Sequence, residues 1–161
     1  MVQKLRKTNP SDLEWIRNLF IAEWAGDFII GAGKIHRPEN LEGFIAEENG
    51  EKVGLITFDV RNNKMELVSI NSLKPGKGIG TALLNEVIKT ARERRLKKIF
   101  LVTTNDNLTA LRFYQKNGFR MVKIYPNAID DARKTKPKIP EIGEDGIPMK
   151  DAIGLEYLLT K

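Results

Sequence analysis

Residues 69–81 read Ser-Ile-Asn-Ser-Leu-Lys-Pro-Gly-Lys-Gly-Ile-Gly-Thr, an extended run that feeds a glycine-rich turn and then a helical pattern. A turn of this composition suits an anion. Glycine lets the backbone approach closely, successive N–H groups converge on one point, and the N-terminus of the following helix adds about half a positive charge. Gly76, Gly78 and Gly80 are spaced Gly-x-Gly-x-Gly, which lacks the Gly-x-Gly-x-x-Gly of dinucleotide-binding folds. No Gly-Lys-Ser or Gly-Lys-Thr follows, as a nucleotide P-loop requires. Taken alone, the cluster reads equally as a tight turn before a helix.

A second group spans residues 107–119, Asn-Leu-Thr-Ala-Leu-Arg-Phe-Tyr-Gln-Lys-Asn-Gly-Phe. Asn107 stands where a side chain caps a helix. Tyr114, next to Phe113, either packs that helix or offers a phenol that is protonated at neutral pH, its reference pKa being near ~10. Glu66 is the third group of interest, on the strand that leads into the glycine turn. Strict alternation puts it on the face of Val68 and Ile70, where a carboxylate is either a general base or solvent-facing. His36 stands alone in a loop without metal-ligand spacing and is expected on the surface, with no role and no metal site assigned.

The elements that position these residues follow from periodicity. A strand over 2–7 precedes Ser11-Asp12-Leu13-Glu14, whose capping-box spacing predicts a helix with Leu13, Ile16, Leu19 and Phe20 inward, ending near Trp24-Ala25-Gly26. Residues 27–40 read as loop. Asn49-Gly50 between the extended runs 43–48 and 52–61 predicts a hairpin, and Asn62-Asn63 turns the chain into a third strand at 65–70. Beyond the glycine turn, Leu83, Leu84, Val87, Ile88 and Ala91 recur at helical spacing, followed by a strand at 98–103. A helix over 108–116 ends at Asn117-Gly118, a strand follows at 119–124, and alternation at Ile153, Leu155, Tyr157 and Leu159 predicts a closing strand. The segment between, 126–148, reads as irregular with a short helix near 128–134.

Composition bounds what this arrangement does. A chain of 161 residues with 41% hydrophobic and 30% charged residues is expected to fold as a single domain, 1–161. The absence of cysteine excludes disulfides and a thiol nucleophile. No run approaches the ~20 apolar residues of a membrane span, so a cytoplasmic protein with no membrane partner is expected. The net charge of +6 gathers in Lys89, Arg92, Arg94, Arg95, Lys97 and Lys98 at a predicted helix end, where cations complement the helix dipole. With aromatics at 7%, no nucleic-acid partner is expected.

The order strand, Gly-Lys-Gly-Ile-Gly turn, helix, strand, then Asn-x-x-Ala-x-x-x-Tyr-x-x-x-Gly-Phe resembles the GNAT N-acetyltransferases over about residues 43–124. The resemblance implies an α/β (α+β) fold: a mixed, mostly antiparallel central sheet, splayed in the middle, with helices on both faces. It implies acetyl transfer from acetyl-CoA to a primary amine of a small molecule or peptide, directly in a ternary complex and without a metal. The donor pyrophosphate would lie on backbone amides of Gly76, Lys77, Gly78, Ile79, Gly80 and Thr81, and the pantetheine arm along Val68, Ser69 and Ile70. Asn107 matches the asparagine that holds that arm, and Tyr114 the tyrosine that protonates the leaving thiolate. Glu66 is the candidate base for the amine. A homodimer is compatible with the family, and a non-catalytic acyl-CoA-binding regulatory module is the alternative. Two positions depart from the pattern. Pro75 replaces a turn side chain that is often arginine or glutamine, and Val102 stands where some protein N-terminal acetyltransferases place a catalytic glutamate.

Overall fold

In the computed structural model, residues 4–159 are described. The first strand is described over Lys4–Lys7, and residues 2 and 3 of the expected strand lie outside the described part. The elements run in the order β1 (Lys4–Lys7), α1 (Leu13–Trp24), β2 (Ile29–Gly31), β3 (Lys34–His36), β4 (Glu42–Glu48), β5 (Glu51–Arg61) and β6 (Lys64–Ser72). They continue with α2 (Ile79–Glu93), β7 (Lys98–Thr104), α3 (Leu108–Lys116), β8 (Arg120–Tyr125), α4 (Ala128–Thr135) and β9 (Ala152–Leu158). The mixed α/β class with mostly antiparallel strands is thus the one observed. Contacts separate two compact units, one built from the chain up to Leu13, Glu39–Ile99 and the chain from Leu158, the other from Glu14–Pro38 and Phe100–Tyr157.

The first unit is an antiparallel meander with α2 packed on one face. β1 pairs with β4, β4 with β5 and β5 with β6. Asn49-Gly50 makes the first hairpin and Asn62-Asn63 the second, all four residues having positive φ as tight hairpin turns require. On the α2 face, Gly54 admits the helix: a Cβ there would stand 2.6 Å from Ile79 Cγ2 and 3.1 Å from Leu83 Cδ1. Ile79, Leu83, Leu84, Val87 and Ala91 are buried, so the helical period found in the sequence is the packing face. The basic end of α2 is partly tied down. Arg94 donates to both carboxylate oxygens of Glu42, at 2.9 and 2.6 Å, and lies over the Phe58 ring at 5.6 Å.

The entry into α1 corrects the expected capping box. The cap is Asn9, whose side chain accepts from the Ser11 N–H, while Asp12 reaches back to accept from the Asn9 N–H at 2.9 Å. A 3₁₀ turn at Pro10–Asp12 therefore precedes the helix. Pro10 at the first position, which has no N–H to satisfy, explains the earlier start. Ile16 and Phe20 are buried as expected, whereas Leu13 and Leu19 are only half-buried.

The second unit holds strands in the order β7-β9-β8, with β8 and β9 antiparallel, and helices α1, α3 and α4. Residues 27–40, expected as loop, contain the β2–β3 hairpin, with Ile29 opposite His36. His36 is accordingly buried, at 3% exposure, rather than on the surface. Its strand has only three residues, too short for alternation to register. Among the described residues no helix is long and apolar enough to cross a membrane.

Candidate active site

The glycine turn lies in the first unit, between β6 and α2. Gly76 and Gly78 have φ of 80° and 71°, a region that costs other L-residues roughly 1 kcal/mol or more. Beyond the adjoining residues of the chain, no heavy atom lies within 4 Å of where a Cβ would stand on either. The demand for glycine is therefore conformational, and the space in front of the backbone is open. Gly78 stands at the N-cap of α2 and has no side chain to offer, so the cap residue itself satisfies none of the first-turn N–H groups. The first intrahelical bond runs from the Ala82 N–H to the Gly78 carbonyl. Ile79 anchors this end: its side chain is 1% exposed while Lys77, Gly78 and Thr81 on either side are exposed. Such an arrangement suits an anion.

The strand leading to the turn departs from strict alternation. Thr57 pairs with Ser69 but Phe58 pairs with Leu67, so Val68 is an extra residue in β6. This bulge moves Glu66 off the face of Ile70 and onto the face of Ser69, which corrects the expected grouping of Glu66 with Val68 and Ile70. The shared face is polar. Thr57 Oγ1 and Ser69 Oγ are 2.6 Å apart, and Asp59 lies opposite Glu66. Glu66 is 1% exposed. Arg61, not foreseen from the sequence, donates to Glu66 Oε1 at 2.6 Å and to Asp59 Oδ2 at 2.7 Å. Burial acts against the guanidinium charge, but these two carboxylates more than offset it and raise the Arg61 pKa. A proton acceptor at Glu66 has to share its carboxylate with that cation.

Asn107 and Tyr114 belong to the second unit, at the start and on the inner side of α3. Asn107 does cap the helix, its Oδ1 accepting from the Ala110 N–H at 3.1 Å. Tyr114 is 5% exposed and sits within an aromatic row, 5.3 Å from Phe113 and 5.4 Å from Phe119, which is itself 5.4 Å from Tyr157. Burial pushes the Tyr114 phenol well above its usual pKa, so it keeps its proton at neutral pH. Asn105 and Asp106, just before the cap, clasp the irregular segment. Asn105 Oδ1 accepts from the Lys150 and Asp151 N–H groups, and Asp106 Oδ2 from that of Glu144. These side chains lacked a signal in the sequence because their partners are backbone groups about 40 residues away. No cluster of metal-ligating side chains occurs among the described residues.

Residues 6–119 match the acetyltransferase (GNAT) family. The chain belongs to the GNAT acetyltransferase family. It is an acyltransferase. The chain is 40% identical over 139 residues to the uncharacterized protein YdhI of Bacillus subtilis (strain 168), covering 86% of this chain and 87% of that protein. The IAA acetyltransferase from Bacillus cereus ATCC 14579 shares the fold, with a TM-score of 0.73 at 24% identity over 98% of this chain and 100% of that one. A GNAT family acetyltransferase from Elizabethkingia anophelis, solved with acetyl-CoA bound, has a TM-score of 0.71 at 24% identity over 98% of both chains. With the GNAT fold established, the order of the glycine turn and the Asn107–Phe119 run is that of an acetyltransferase and not of a nucleotide-binding loop.

Proposed function

We propose that this acetyltransferase moves an acetyl group from acetyl-CoA to a primary amine of a small molecule or peptide, directly within a ternary complex and within one domain, 1–161. The observation that carries the reading is the open turn at Gly76–Gly78, whose left-handed glycines and glycine-capped helix N-terminus suit the donor's pyrophosphate. Backbone N–H groups of Gly76, Lys77, Gly78, Ile79, Gly80 and Thr81 hold that group. Val68, Ser69 and Ile70 align the pantetheine arm, the bulge at Val68 leaving backbone groups that β5 does not match. Asn107 steadies the same arm from the helix cap.

The donor supplies a thioester carbonyl, which a neutral amine attacks. Glu66 takes the proton that the amine must lose, through water or after parting from Arg61. Tyr114 gives its proton to the departing sulfur. Support for that role comes from a phenol that burial keeps neutral, held in place by its neighbouring rings. The experiment is a panel of primary amines and short peptides with acetyl-CoA, read by free thiol and by the mass of the acetylated product. Acetylation of at least one amine, with stoichiometric thiol, is the expected outcome. Tight donor binding with no transfer to any amine would favour the regulatory module instead.

A further inference from the structure

The last residues of β6 run into the glycine turn, and Asn71 stands among them. Its cross-strand partner on β5 is Leu55, which is fully buried. Just beyond, the Leu73 N–H donates to the Val53 carbonyl at 2.8 Å, so the backbone around Asn71 is held to β5. An apolar side chain would suit such a neighbour. Asn71 instead brings an amide, whose Oδ1 is buried and accepts no hydrogen bond from any described residue. Buried carbonyl oxygens without a donor are rare in folded proteins and unfavourable. The residue as a whole is half-buried, which leaves its amide within reach of a ligand.

Alternation gives the side chain its direction. Gly54, opposite Ser72, faces α2. Leu55 and Asn71, next along each strand, therefore project from the other face, as do Thr57 and Ser69, whose hydroxyls are 2.6 Å apart. Glu66 shares that face. We infer that Asn71 is a donor-binding residue: its side-chain carbonyl accepts a hydrogen bond from an amide N–H of the pantetheine arm of acetyl-CoA. The inference rests on the donor reading given above, in which the arm runs along Val68–Ile70 and the pyrophosphate lies on Gly76–Thr81. Asn71 lies between those two stretches of the chain, so a donor held at both passes it. The arm carries secondary amides, whose N–H groups lose water on binding and need an acceptor in its place.

Calorimetry on the parent chain and Asn71→Leu tests this, with acetyl-CoA and with ADP, which offers a pyrophosphate without a pantetheine arm. Asn71→Leu should raise the Kd for acetyl-CoA by about threefold to tenfold, the worth of one neutral hydrogen bond, and leave the Kd for ADP unchanged. Without ligand, the variant should melt no lower than the parent, since it removes an unsatisfied buried oxygen and keeps the side-chain volume. A structural asparagine would instead lower the melting temperature and affect both ligands alike, and that result overturns the inference. So does parent-like affinity for acetyl-CoA. Should the leucine variant fail to fold, Asn71→Ala decides in its place: weaker binding of acetyl-CoA alone is expected, and equal loss for both ligands, or no loss, overturns the inference. Failure of the parent chain to bind acetyl-CoA would overturn the donor reading along with it, which separates the two failures.

Discussion

At the scale of single residues, Tyr114 and Glu66 share a buried setting. For the tyrosine it favours the neutral form, which is the form a proton donor needs. Tyr114→Phe deletes only the hydroxyl and keeps the ring that packs against Phe113 and Phe119. Folding and donor binding should therefore survive. The single-turnover rate should fall by about two to four orders of magnitude, since a proton given to the leaving sulfur acts in the transition state alone. Full single-turnover rate in this variant would remove the acid role. No loss of rate from Tyr114 ionisation is expected below pH ~10, because its pKa is raised rather than lowered. Glu66→Gln should depress turnover most at the acid end of the pH range, where an unassisted amine is least often neutral. Because Arg61 keeps Asp59 but loses the Glu66 charge, the same variant should also lose stability, by about 1 to 3 kcal/mol. Lost stability with an unchanged pH–rate profile would make Glu66 structural and give the deprotonation to water.

At the scale of elements, the entry into α1 carries a second buried ion cluster. Asp12, 1% exposed, accepts two hydrogen bonds from Arg6 at 2.8 Å and lies 3.1 Å from Lys52 Nζ, joining β1, the capping turn and β5. The hydrogen bonds from Arg6, aided by the Asn9 N–H and Lys52, outweigh desolvation and hold the Asp12 carboxyl far below the usual range. A depressed carboxylate stabilises the fold above its unfolded pKa, near ~4, and loses that contribution as pH falls below it. Asp12→Asn should thus cost about 2 to 4 kcal/mol in urea unfolding at pH 7 and progressively less below pH ~4. An equal cost at both pH values would contradict the linkage. The same elements show what the sequence made legible. Long periodic elements such as α2 and the Asn-Gly hairpin were evident because local pattern and turn chemistry agree there with the fold. The capping box was misplaced by two residues because Ser11 and Asn9 both suit a cap and only the tertiary partners of Asp12 decide between them. Glu66 was put on the wrong face because a bulge adds one residue without changing the hydrophobic pattern. Arg61 escaped notice because a charged residue at a hairpin end reads as solvated until its burial is known.

At the scale of the whole molecule, a basic chain with net charge +6 draws an anionic donor by long-range attraction. The charge is not uniformly available. Arg94 is paired with Glu42, Arg6 with Asp12 and Glu47, and Lys74 and Lys77, beside the glycine turn, with Glu48. Family membership settles that acetyl transfer is the chemistry, and the 40% identity to YdhI spans most of both chains. The central claim is that the turn from Gly76 to Thr81 holds the donor, and isothermal titration of acetyl-CoA into the parent chain and Gly78→Asp tests it most directly. The parent should bind one equivalent with a Kd in the ~1 μM to ~1 mM range usual for enzyme substrates. Gly78→Asp, which forces a side chain into the left-handed region and sets a carboxylate against the phosphates, should bind at least about 100-fold more weakly while remaining folded. Parent-like affinity in folded Gly78→Asp, or a parent chain that takes up no acetyl-CoA at millimolar concentration, would contradict the account.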